Sequence, residues 1–319
     1  MTMTIPEILQ ALEFFSEIFP REALEAAIAN QEAIAPVLLE KLENLKGKFQ
    51  DISEDYYFHV YSFFLLAQFR ETRAYPLIVD LMIEAGEQAH DLFGEFITEN
   101  LASVLASVYD GNPAPLLRLI ETDGDEFVRG AGIQALSILY LYEQLSRQEL
   151  LNYLKQFVQQ CLETPQTFPL ATVLVMNSID VHATELKEEL KKLFDADLVD
   201  WLVGNLQEVE SELTRQTQEE SLEELRKNNS YQLVNDVIEE MSSWYCFQEN
   251  KEEYEKARLE VIEKLLTQSI PSRQKEELGF SQAPTSSEET APKYRMNPQK
   301  KAKQKQQKQS RKKNRPKKK

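Results

Sequence analysis

SRQELLNYLKQFVQQC, residues 146–161, decides the fold class. Leu150, Leu151, Leu154, Phe157, Val158 and Cys161 recur at intervals that place them on one face of an α-helix. Ser146 stands at the N-cap, and Glu149, three residues later, stands where a capping box returns its hydrogen bond. Strand alternation bounded by turn dipeptides is not found convincingly anywhere in the body of the chain.

The same spacing runs through the neighbouring segments. Phe96, Ile97, Leu101, Val104, Leu105 and Val108 make one helical face, stopped by Asp110-Gly111-Asn112-Pro113. Tyr56–Phe69 is apolar nearly all round, which predicts an interior helix covered on several sides. The helices come in pairs, with second members beginning near residues 73, 112, 147 and 184. Those starts lie about 35–39 residues apart, close to the HEAT and armadillo range and above the tetratricopeptide period. Each pair has an apolar side too large to bury alone, so neighbours must stack. The expected fold is all-α, a HEAT-like α-solenoid with a disordered C-terminal tail.

Past residue 200 the pattern thins. Gln207–Glu224 is mostly Glu and Gln, a solvated helix packed on one side. Tyr231–Phe247 restores apolar spacing through Val234, Val237, Ile238, Met241, Trp244 and Tyr245, and reads as a cap on the last repeat. A final helix is predicted over Glu252–Leu266, with Tyr254, Val261, Ile262 and Leu265 inward. The expected organisation is a helical repeat domain over 1–267, of which 206–267 cap the end. A disordered linker over 268–292 and a disordered Lys/Arg-rich tail over 293–319 follow, both of a composition unable to bury a core.

Of the chain's 319 residues, 42% are hydrophobic and 28% charged, and the net charge of −17 conceals a division. Residues 293–319 hold 14 of the 36 Lys and Arg and none of the 53 Asp and Glu. Residues 1–292 therefore carry 22 basic side chains (36 less 14) against 53 acidic, a net of −31. The body should repel nucleic acid and anionic lipid, and the tail should attract both. Two cysteines, Cys161 and Cys246, argue against a disulfide framework and for a reducing compartment. The N-terminus has no basic n-region, and no uncharged run reaches the roughly 20 apolar residues of a membrane span. The expected location is the cytoplasm, with no membrane partner.

Residues 19–43 (FPREALEAAIANQEAIAPVLLEKLE), 65–82 (LLAQFRETRAYPLIVDLM), 103–121 (SVLASVYDGNPAPLLRLIE) and 127–140 (FVRGAGIQALSILY) carry a resemblance. They look like a bacterial family known only as a domain of unknown function, over roughly residues 5–250, with FRETRAYPLI the most specific phrase. The resemblance implies a HEAT-like helical body and no established activity. Many members of that family end in a cysteine-rich SEC-C zinc motif. Here no cysteine follows Cys246, and a lysine-rich tail takes the motif's place.

Motifs that could carry chemistry read as structural. Gly130-Ala131-Gly132-Ile133-Gln134-Ala135 matches the dinucleotide pattern G-x-G-x-x-A, but no strand precedes it, so its small residues are expected to let two helices approach. His59, His90 and His182 have no histidine or cysteine at metal-ligand spacing. Ser178, Asp180 and His182 lie together in sequence without a nucleophile elbow, and are expected to be a helix end and turn. The acids Glu84, Glu87, Asp91, Glu95 and Glu99, like Glu219, Glu220, Glu223 and Glu224, are expected to be solvated. Cys161 should be core, and Cys246 has aromatic neighbours and no evident base. No catalytic, cofactor or metal site is therefore assigned.

One segment has a positive chemical signature. Lys300, Lys301, Lys303, Lys305, Lys308, Arg311, Lys312, Lys313, Arg315, Lys317, Lys318 and Lys319 form a tract suited to phosphates, with only Tyr294 available for base stacking. Three functions stay open at this stage. The first is a non-enzymatic scaffold binding protein partners along its solenoid. The second is an RNA- or ribosome-associated factor bound through the tail. The third is an enzyme of a HEAT-like class with a dispersed site. The basic residues Arg70, Arg73, Arg118 and Arg129 are expected to be tied up by acids in the repeat turns.

Overall fold

Helices alternate between two layers along the chain. In the computed structural model the described residues are 3–49, 52–53, 55–164 and 168–247. The expected helix Glu252–Leu266, linker 268–292 and tail 293–319 lie outside them. The first elements are α1 (Ile5–Ala11), α2 (Arg21–Ala29), α3 (Gln31–Glu43), α4 (Phe58–Gln68) and α5 (Ala74–Ala85). Two short helices, α6 (Ala89–Phe93) and α7 (Phe96–Glu99), lead to α8 (Leu101–Ser107), α9 (Ala114–Glu121) and α10 (Glu126–Leu141). Then come α11 (Arg147–Glu163), α12 (Phe168–Asp180), α13 (Lys187–Asp195), α14 (Leu206–Arg215), α15 (Gln218–Leu225) and α16 (Val237–Ser242). Among the described residues the extended pairing is limited to one bridge, Phe14 with Tyr56. No helix among them is long and apolar enough to cross a membrane.

One layer stacks α4 on α8, α8 on α10 and α10 on α12. The other holds α3, α5, α9 and α11, each packed on first-layer neighbours, and α13, packed on α11 and α14. The fold is thus all-α, a stack of helix pairs. The most apolar helix is the most covered: every residue from Phe58 to Ala67 is buried, Phe63, Phe64 and Leu66 completely. On α11 the expected capping box is formed, and Leu150, Leu154, Phe157, Val158 and Cys161 are buried. Gly130 and Gly132 lie inside α10, where a Cβ would meet Val173 at 3.3 Å and Ile120 at 2.7 Å, so close helix packing accounts for both.

Three of the four first-layer helices, α4, α10 and α12, end in one repeated device. Arg70, Glu143 and His182 all have positive φ, and each follows a helix of this layer. In each case two backbone N–H groups fold back: Arg70 N to Ala67 O with Glu71 N to Leu66 O, Glu143 N to Tyr140 O with Gln144 N to Leu139 O, and His182 N to Ile179 O with Ala183 N to Ser178 O. This is the Schellman pattern, built without its usual glycine. Two expected helices are interrupted: that over 96–108 at Asn100, between α7 and α8, and that over 207–224 at Gln216 and Thr217, between α14 and α15, where the Thr217 side chain caps the second piece.

The segment expected to cap the last repeat does something else. Residues 228–247 run back across the first layer, from α12 past α10 and α8 to α4 and α2. We call this segment the strap. Its apolar side chains lie opposite helices that the stack alone would leave open on that side, which is why it follows the layer instead of closing the end. Val237 and Met241 become fully buried.

Candidate functional site

The bed of the strap is built from polar side chains at helix ends. At the α12 end the Tyr231 hydroxyl donates to Asp180 Oδ2 at 2.5 Å. From α10, Gln134 Nε2 donates to Ser230 O at 2.8 Å, and Tyr142 donates its hydroxyl to Gln232 Oε1 at 2.8 Å. In the middle, Val234 N donates to Ser107 Oγ at 2.9 Å, and Val237 N donates to Gln68 Oε1 at 2.8 Å. Asp236 caps α16, and Asn100, at the break before α8, donates to Glu240 Oε1 at 2.8 Å. At the far end Trp244 meets Phe64 edge-on, and Phe247 packs on Phe15 and Phe19.

Arg70 is the clamp. Its left-handed backbone turns the side chain onto the strap, where Nη1 donates to Val234 O and Nη2 to Asn235 Oδ1, both at 2.7 Å, while Nη1 also reaches Ala67 O. Burial lowers its pKa. A left-handed non-glycine residue costs energy, and such positions cluster where a side chain must be aimed.

The expectation that four arginines pair with acids therefore holds for two. Arg73 binds Glu71 through two nitrogens, and Arg118 binds Asp80. Arg70 grips the strap as described, and Arg129, buried, donates Nε to Ile120 O at 2.7 Å. Carbonyls replace carboxylates at both because each guanidinium lies beside an exposed helix or strap main chain.

The remaining sequence candidates separate in space. Ser178 Oγ donates to Leu174 O within its own helix, Asp180 belongs to Tyr231, and His182 Nδ1 lies 3.4 Å from Ser221 Oγ. His59 is buried among Tyr56, Phe63 and Phe93, with Nε2 donating to Leu92 O at 3.4 Å. His90 packs on Phe127. Glu220 is spent on capping α15, and Glu224 accepts from Gln216. Cys161 is buried and Cys246 half-buried. Among the described residues no group of three or more His, Cys, Asp or Glu could hold a metal ion. The twelve basic residues of Lys300–Lys319 lie outside the described residues.

Sequence reasoning missed two carboxylates with shifted acidity: Asp180, half-buried, which accepts from the strap, and Glu240, largely exposed, which lies on the strap's own α16. Burial raises the pKa of Asp180, an effect the Tyr231 hydrogen bond opposes. Partial desolvation raises that of Glu240 although the residue is largely exposed, and the bond from Asn100 opposes it. Tyr231→Phe should cost about 1–3 kcal/mol by taking a donor from a half-buried carboxylate. The loss should be larger at neutral pH than in acid, where a protonated Asp180 needs the donor less. Urea melts at the two pH values check this, and a loss independent of pH would show that the hydroxyl does not serve the carboxylate.

A family described as a protein of unknown function (DUF1186) matches residues 3–248. An uncharacterized protein of Chlamydia trachomatis serovar D is 36% identical over 247 residues, covering 76% of this chain and 97% of the relative. An uncharacterized protein of Chlamydia muridarum is 35% identical over 245 residues, with the same two coverages. No solved structure matches the chain. The match begins just before α1 and ends one residue past Phe247, so it takes in the helix stack and the whole strap and leaves out the basic tail. On that span, which holds the helix stack and the strap, the chain belongs to the DUF1186 family.

Proposed function

We propose that this chain is a non-enzymatic, cytoplasmic protein-interaction scaffold that holds a segment of short helical turns on its first helical layer. The observation supporting this is the strap itself. Gln68, Arg70, Ser107 and Gln134 all bond main-chain atoms of a segment lying across them. Main-chain bonding in and between its short helices holds such a segment whatever its sequence and leaves selectivity to pockets for side chains. The test is a pull-down with the intact chain, with and without nuclease. Protein partners that survive nuclease and are lost with Arg70→Ala are expected, and partners held only through nucleic acid would overturn the reading.

A second reading has the charge division behind it. A tract with 14 basic and no acidic residues would bind RNA through phosphates, and log affinity would fall with log salt by about 0.7 per phosphate contacted. Deleting Lys293–Lys319 should abolish such binding and leave the melting temperature of the body nearly unchanged. RNA binding that survives the deletion would move the contact into the helical body.

A further inference from the structure

Resting on the scaffold reading, we infer that residues 228–247 are a tethered ligand, and that a partner engages the first layer by replacing them with an apolar segment of the same helical-turn spacing, carrying a carboxylate opposite Arg70. The strap prints the required register. Tyr231, Val234, Val237, Met241, Trp244 and Phe247 follow one another at intervals of three, three, four, three and three residues. Four of the six are 6% exposed or less.

The carboxylate follows from what Arg70 lacks. Its guanidinium is offered two carbonyl oxygens and the neutral amide of Asn235, and the neighbouring acid, Glu71, is committed to Arg73. An Asp at the Asn235 position would convert a neutral acceptor into a charged one, and charge-assisted bonds are about twice as strong. The chain's own strap is therefore a ligand short of its best chemistry. That leaves a margin for a better one.

Displacement must overcome the tether. A segment on the same chain competes at an effective concentration of about millimolar. A free segment of the same sequence should hardly bind, while one improved at Arg70 should. The strap also has features of a locally opening element: it pairs in no sheet, and its one α-helix, α16, has six residues.

Two measurements on the full chain test this. In hydrogen exchange, the amides of Val234 and Val237 should exchange at least tenfold faster than those of Leu136 and Ile138 in α10. Equal rates would mean that the strap opens only with the whole body and would overturn the inference. In titrations with labelled synthetic peptides of residues 228–247, the version with Asn235→Asp should bind roughly tenfold tighter than the natural sequence. Arg70→Gln in the chain should abolish that difference. No binding by either peptide, or an unchanged difference in Arg70→Gln, would also overturn it. Partners that persist in the pull-down after such a failure would leave the scaffold reading standing on another surface, so the two ideas fail separately.

Discussion

Phe157→Ala should lower the unfolding free energy of the body by about 3–5 kcal/mol, and Leu154→Ala by about 2–5. Both side chains are completely buried on α11, which packs against α12 in one layer and α13 in the other. Truncation there removes apolar contact on two sides at once, and helices fixed by neighbours in both layers cannot close the gap. Gln159→Ala on the same helix removes only an exposed i,i+4 bond to Glu163 and should cost a few tenths. Urea melts of the three variants check the order. A Gln159 loss equal to that of Phe157 would show that α11 is not the interlayer helix described above.

Acid should weaken the fold through His59. Burial lowers its pKa from 6.5 to about 4, and its hydrogen bond to Leu92 O offsets this only in part. Its Nδ1 has no partner, so a proton added there would be buried and unpaired. In the unfolded chain the ring takes up its proton near pH 6.5, while in the folded chain it stays neutral until about pH 4. Between these values the unfolded state binds more protons, so stability falls as pH drops through the window. The full loss is about 3 kcal/mol. Asp180 and Glu240 pull the other way, because acid neutralises carboxylates whose charge is partly desolvated. Comparing the chain with His59→Leu isolates the ring: the variant should lose less stability between pH 7 and pH 4. Parallel profiles would show that His59 is solvated in the native state.

How much of this could be read from the residues depends on whether the controlling physics is local. The capping box at Ser146 and Glu149 and the all-round apolar face of Phe58–Ala67 are local, and both reappear in the structure; the pairing is periodic and reappears less evenly, with second helices starting at Ala74, Ala114, Arg147 and Lys187. The left-handed turns at Arg70, Glu143 and His182 left no mark, because the residue that usually signals such a turn, glycine, is absent from all three. The strap was half legible. Its apolar spacing was visible, but whether residues 231–247 close the end or double back is decided by partners far away in sequence, as with Val237 and Gln68, 169 positions apart, and Phe247 and Phe15 farther still. The site hid for the same reason. Arg70 looks like any surface arginine until a carbonyl from residue 234 arrives above it.

The course of the strap also dictates a schedule. A stack whose units touch only their neighbours can settle pair by pair as it leaves the ribosome, which delivers about 5–20 residues per second, N-terminal part first. Here the first layer waits for its cover until residues 228–247 are made, long after α4 and α8 could have packed. During synthesis the apolar flank of Phe64 and the unfilled positions around Ser107 face solvent or a chaperone. Once the strap's last aromatic, Phe247, lands on Phe15 and Phe19, the two termini of the stack become one cooperative unit. An array that would otherwise fray from its ends then melts in a single step.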